Sequence, residues 1–218
     1  MRLLFNLSLF LFIGITIQAQ EGDILLTNSK KISEDRYEGV KGTPYAFKEW
    51  HPATIISTEA EVTEVAAINY NAYTQNLEVQ KGKQFIELDP AWYVRVIIQV
   101  SDTEAITFQR AFQTELQSDF MQLVYDGDQV QVYKQSRKDI STKVINDVGK
   151  TREAKKFVNL TKYQLIENDK AKSFKLSKKD FLKKIGNKKA AEGLLKKNKL
   201  KLNKEADLVK LMELYDML

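Results

Sequence analysis

The chain contains no cysteine. That excludes disulfide staples, thiol catalysis, cysteine metal sites and lipidation at a cysteine, so cohesion must come from packed apolar surface. Histidine is nearly as scarce: His51, in "EWHPAT", is the single one. One imidazole cannot build a histidine zinc site, and no G-x-S-x-G surrounds any serine for it to activate. His51 is read as a surface or packing residue rather than a general base. The glycines form neither a phosphate-binding P-loop nor a dinucleotide fingerprint. No catalytic residue, no metal site and no cofactor is implied.

Long apolar runs are missing too, except at the start. "MRLLFNLSLFLFIGITIQAQEGD" places Arg2 before an apolar stretch from Leu3 to Ile17, then small or polar residues at Gln18, Ala19 and Gln20. That layout predicts a secretory signal peptide over residues 1–20, cut after Ala19 or Gln20. A membrane anchor would want about 20 apolar residues, more than this run supplies. The mature chain is therefore expected in the periplasm, the outer envelope or the extracellular space, with peripheral membrane contact as an alternative to free solution. Some 200 residues remain, enough to bury a core.

From about Ala53 to Leu176 the dominant period is two, the strand period. In "WYVRVIIQV", Trp92, Val94, Val96, Ile98 and Val100 share one face, with Tyr93, Arg95, Ile97 and Gln99 on the other. Turns are predicted near Gly82 in "NLEVQKGKQFIEL", at Asp126-Gly127 in "FMQLVYDGDQVQVYK", and from Glu167 to Lys170 in "KYQLIENDKAKSFKL". Strands joined so tightly run antiparallel. Glu21 to Pro52 reads as loops and short strands, with a turn at Gly42 to Pro44.

At Ser177 the period changes. Ser177 and Asp180 make a box-like helix start, Phe181, Leu182 and Ile185 share a face, and Gly186 suits the stop. A second short helix carries Ala190, Ala191, Leu194 and Leu195. A third, capped by Asn203, carries Leu208, Met212 and Tyr215. Helices this short are marginal alone, so they must pack on each other and on the sheet.

The stretch "LKKIGNKKAAEGLLKKNKLKLNK" raises the question of an anionic partner, since the net charge is +5. Lysine on the outer side of an amphipathic helix needs no ligand to explain it. Nucleic acid is disfavoured by export, by the near-absence of arginine there and by few stacking aromatics. Contact of Lys188, Lys189, Lys196 and Lys197 with anionic lipid or envelope glycan is the alternative.

Two other clusters invite chemistry. Asp126 and Asp128 flank Gly127 without the further oxygens of an EF-hand, so a turn is preferred over calcium. "INYNAYTQN" alternates amides and aromatics, and Asn69, Tyr70, Asn71 and Tyr73, with Tyr93, are candidates for a surface holding a sugar or lipid headgroup. Cross-strand aromatic packing explains the same pattern.

"GTPYAFKEW" (Gly42–Trp50), "INYNAYTQNLEV" (Ile68–Val79), "FMQLVYDGDQVQVYK" (Phe120–Lys134) and the lysine-rich close from Ser177 to Asp216 resemble a group of uncharacterised exported proteins of Bacteroidota. The resemblance implies an exported strand meander with a helical tail and carries no assigned activity or site residue.

The expectation is an α+β protein. Residues 21–176 should form a β-dominant antiparallel curved sheet or partly rolled barrel, and 177–218 a lysine-rich helical cap packed on it. Val79, Phe85, Trp92, Val94, Val96, Ile98, Phe108, Leu123 and Val132 should point inward. A non-catalytic envelope protein binding a partner protein, glycan or lipid is the leading functional reading. A carboxylate-dependent envelope enzyme such as a glycan hydrolase is the alternative.

Overall fold

The computed structural model describes residues 29–110, 120–147 and 150–218, side chains at 146, 147 and 150 excepted. The expected signal peptide lies outside the described residues. The strands are β1 (Ser29–Ile32), β2 (Val40–Lys41), β3 (His51–Ser57), β4 (Val62–Asn71), β5 (Asn76–Lys81), β6 (Gln84–Leu88), β7 (Tyr93–Ser101), β8 (Glu104–Arg110), β9 (Phe120–Asp126), β10 (Val130–Gln135), β11 (Lys138–Asp147), β12 (Lys150–Asn159), β13 (Lys162–Glu167) and β14 (Lys170–Phe174). A 3-10 turn spans Asp35–Tyr37, and the helices are α1 (Lys178–Phe181), α2 (Lys188–Lys197) and α3 (Glu205–Tyr215).

Eleven strands make one sheet in the order β1-β6-β5-β4-β3-β7-β8-β9-β10-β13-β14, with every pairing antiparallel. The molecule is thus α+β with β dominant, and its sheet stays open rather than closing into a barrel. A second sheet, β11-β12-β2, branches off.

The main sheet has to roll. Its order places four strand spacings between β6 and β7, about 19 Å if flat. The link from Leu88 to Tyr93 crosses that gap, and even fully straight it reaches roughly 18 Å. It is not straight: Trp92 N–H donates to Asp89 O at 3.1 Å, and Ala91 N–H to Asp89 Oδ1 at 2.9 Å. The sheet therefore curls until the end of β6 approaches the start of β7. The enclosed face carries a core of Ile55, Ile68, Tyr70, Leu77, Val79, Ile86, Val96, Ile98 and Phe108.

The predicted turns fall where the special backbone conformations are. Gly82 has φ +60° between Lys81 and Gln84, which pair across it. Asn168 and Asp169 both have positive φ, as a type I′ hairpin requires, and asparagine and aspartate tolerate that region. Three inward expectations need correction. Trp92 lies in the β6–β7 link and is 44% exposed, while Tyr93 is buried; the turn built on Asp89 ends the preceding loop one residue later than the alternation implied. Phe85 sits on the opposite face from Ile86 and packs on Trp50. Leu123 belongs to a separate cluster with Met121, Tyr133 and Ile166, on the face away from the helices. A register shift between Val132 and Tyr133 separates those faces.

The helices cover Val130, Val132, Tyr163, Leu165 and Phe174 with Phe181, Leu195, Leu208, Leu211, Met212 and Tyr215. Ser177 Oγ accepts from Asp180 N as predicted, and Asp180 reaches back to Lys175 N. Asn187 caps α2 through Ala190 N. The predicted Asn203 cap is not formed: Lys204 precedes α3 and contributes no side-chain bond.

Two polar clamps fix this cap. Glu167, almost buried between strand and helices, accepts from Gly186 N at 2.9 Å, Tyr215 OH at 3.2 Å and Lys172 Nζ at 3.1 Å. A Cβ at residue 186 would fall 2.7 Å from that carboxylate, so Gly186 is dictated by close approach. Beyond α3, Asp216 accepts from the backbone N–H groups of Asp128 (2.8 Å), Gln129 (2.8 Å) and Val130 (3.2 Å). The Asp126–Gly127 turn is thus a docking point for the chain's last helix.

Candidate functional site

Of the residues singled out in "INYNAYTQN", Asn69, Tyr70 and Asn71 are buried and only Tyr73 reaches the surface. Tyr93, the fifth, is buried as well. The five do not form one exposed surface. Alternation along β4 explains it: Tyr70 turns into the rolled core, and Asn69 and Asn71 turn out, beneath the N-terminal segment. Asn69 stitches that segment down, donating to Phe47 O (3.1 Å) and Glu49 O (2.9 Å) and accepting from Phe47 N (3.3 Å). Asn71 Oδ1 holds the next turn through Tyr73 N and Thr74 N.

Asn71 Nδ2 donates to Glu78 Oε1 at 2.7 Å and to Tyr37 OH at 2.9 Å. Glu78 is completely buried. Its other oxygen takes the Arg36 guanidinium at 2.5 Å and the Tyr45 hydroxyl at 2.9 Å. A buried carboxylate demands such a complete shell. Burial and the neighbouring Glu78 push the Tyr45 hydroxyl far above its ordinary pKa. Burial works against the charge on Arg36, yet Glu78 outweighs it and raises its pKa. Lys138 braces the same segment, donating to Thr43 O (2.8 Å) and Tyr45 O (2.6 Å), and its burial lowers its pKa. Over this knot Tyr37, Tyr73 and Phe157 meet edge-to-face, with centroids 5.5 to 5.8 Å apart.

Sequence reasoning missed the importance of Arg36 and Glu78. Glu78 alternates outward in "NLEVQK" like any solvent-facing acid, and nothing local announces that residues 35–50 will cover it.

Where the roll brings β6 and β7 together, Ser29, Lys30, Asn76, Glu87, Leu88, Asp89, Pro90 and Trp92 line an open cleft of about 440 Å³. Trp92 offers an exposed indole beside an amide, two carboxylates and an ammonium. Such a wall matches a ligand with a flat apolar face and a hydroxylated rim. The cleft is rigidly placed, because its floor is the turn that forces the roll. Beneath it the Tyr93 hydroxyl is pushed up by burial, opposed by a hydrogen bond with Ser29.

Acid catalysis fits less well. Glu78 and Glu87 stand directly opposite each other on β5 and β6. However, Glu78 gives both oxygens to Arg36, Tyr45 and Asn71, which leaves it no oxygen for a substrate. Glu167 is likewise committed to the helical cap. Among the described residues no group of three or more His, Asp or Glu side chains is arranged to hold a metal, and Asp126 and Asp128 serve the turn. His51 packs edge-on to Phe47 at 5.4 Å.

Lys188, Lys189, Lys196 and Lys197 all face solvent on α2, opposite the buried Ala191 and Leu195, and Lys188 approaches Glu192 at 3.9 Å. Among the described residues no helix is long and apolar enough to cross a membrane. Comparison with known protein families, curated proteins and solved structures finds no match to this chain.

Proposed function

We propose that the mature chain is an exported, non-catalytic cell-envelope protein that binds a glycan in the Trp92 cleft. The observation that carries this reading is the exposed Trp92 indole set among Asn76, Glu87, Asp89 and Lys30. A sugar ring stacks its C–H face on an indole while its hydroxyls exchange hydrogen bonds with carboxylate, amide and ammonium at the rim. The cleft's volume of about 440 Å³ suits one or two sugar units, within the ordinary size range of small-ligand sites. The absence of a matching family leaves the site chemistry to carry the reading alone. A free catalytic acid is not on offer, so the hydrolase alternative has no specific support.

The test is calorimetric titration of the mature protein with N-acetylglucosamine oligomers, neutral glucans and uronate oligomers, beside Trp92→Ala. Saturable binding of one class, weakened about tenfold or more by the substitution (about 1.4 kcal/mol), supports the proposal. Equal affinity in both proteins, or no binding by the native one, overturns it.

A further inference from the structure

The hairpin β11–β12 is built unlike the rest of the molecule. Its two strands pair over ten residues each, from Lys138↔Asn159 to Asp147↔Lys150. Support from a third strand comes only at Lys155 and Lys156, where the two-residue β2 joins β12 in parallel. Among the described residues no strand pairs with the other edge of β11. Thr142, Lys143, Val144 and Ile145 are all exposed, Val144 by 62%. Two-stranded ribbons are marginal in water, and an open edge is a template for another strand.

We propose that a second copy of this chain fills that edge, β11 pairing antiparallel with its counterpart about a two-fold axis at Ser141. A two-fold normal to the sheet keeps each residue on its own face, so facing residues are separated by an even number of positions. Centred on Lys143, the register sets Lys143 against itself and Asp139 against Asp147. Centred on Thr142, it sets Asp139 against Ile145 and leaves the acid uncompensated. Centred on Ser141, Asp139 faces Lys143 of the second copy twice, Ile140 faces Thr142, and Ser141 meets itself. Val144 then lies against Lys138, whose ammonium is already held by the carbonyls of Thr43 and Tyr45. That tether orders the Lys138 methylenes, which cover the exposed valine. Lys143 on an edge ordinarily repels strand partners. Here the charge selects the partner that brings Asp139 opposite it.

The chain has no cysteine of its own, so a single introduced thiol reports the register. Facing residues in an antiparallel pair have Cα atoms about 4.5 to 5.5 Å apart, within disulfide reach. The expected results are a dimer of the native protein in sedimentation equilibrium at micromolar concentration, and oxidation of Ser141→Cys to a covalent dimer at least tenfold faster than Glu213→Cys on exposed α3. Lys143→Asp should weaken the dimer about tenfold, and adding Asp139→Lys should restore it. A native protein that stays monomeric, equal oxidation at the two positions, or a charge swap that fails to restore pairing would each overturn the proposal.

Discussion

Tyr70 on β4 stacks on Phe108 on β8, their ring centroids 4.8 Å apart and their planes 26° from parallel, although β3 and β7 lie between those strands. In a flat sheet three strand spacings would hold the two rings about 14 Å apart. Their contact is the inside of the roll, and the short Asp89–Trp92 link is its outside constraint.

The first prediction follows from that contact. Phe108→Leu and Tyr70→Leu should each destabilise, and a double-mutant cycle in urea should return a coupling of about 0.5 to 1.5 kcal/mol. Phe108→Ala, which empties a fully buried ring site, should lose about 3 to 5 kcal/mol. Additive losses for the leucine pair would mean that the two strands do not face each other.

Glu78 and Arg36 should respond unequally to loss of the other. Arg36 keeps access to water, whereas Glu78 has none. Arg36→Met strands a buried carboxylate, and the expected loss is about 3 to 5 kcal/mol. Glu78→Gln keeps hydrogen-bonding capacity toward Asn71 and Tyr45 and lets the guanidinium turn to solvent, so the loss should be smaller. Thermal unfolding of the two variants compares them directly; equal losses would contradict the asymmetry.

Asp216 supplies a pH dependence. Its small burial acts to raise the carboxyl pKa, but the N–H groups of Gln129, Asp128 and Val130 and the Tyr125 hydroxyl prevail and bring it below 3.8. A lowered pKa means the folded protein binds this proton more weakly than the unfolded chain. The stabilisation is therefore complete above the unfolded value and fades as pH falls through the folded one. The melting-temperature gap between the native protein and Asp216→Asn should stay constant from pH 7 to about pH 4 and shrink below it. A gap independent of pH would contradict the clamp.

Gly127 should be intolerant for the same reason. A Cβ there would lie 2.5 Å from both Asp216 Oδ2 and the Tyr125 ring, so Gly127→Ala must push the clamp apart. In an Asp216→Ala background the added penalty should fall, leaving only the Tyr125 part. Full additivity in chemical denaturation would argue that the turn and the C-terminus do not touch.

How far the sequence foretold this molecule depended on whether the signal was local. The hairpins around Gly82, Gly127 and Asn168-Asp169 were legible, because turn residues announce themselves within four positions. The Ser177 cap and the apolar stripe of α3 were legible for the same reason. The burial of Glu78 was not, since it depends on residues 35–50 lying over β4 and β5. The faces of Phe85 and Leu123 were misjudged because alternation gives two faces without saying which is enclosed, and because β10 shifts register at Val132. Gly127 and Gly186 were read as turn and stop; their real constraint is a carboxylate arriving from far along the chain. The cleft was half visible: Trp92 was noticed as an aromatic neighbour of the amide cluster but assigned to the inside. The Asp89-Pro90 turn signal immediately before it was the clue that it would sit outside the strand.

The glycan-binding claim meets its most direct test in tryptophan emission. The chain has two tryptophans, and Trp50 is packed between Tyr45 and Phe85, at 5.0 and 5.5 Å. In a Trp50→Phe protein the emission comes from Trp92 alone. Titration with the sugar oligomer that binds in calorimetry should shift that emission to the blue and protect it from iodide quenching, with a midpoint equal to the calorimetric affinity. Emission and quenching that stay unchanged at saturating sugar would place the ligand elsewhere and contradict the account.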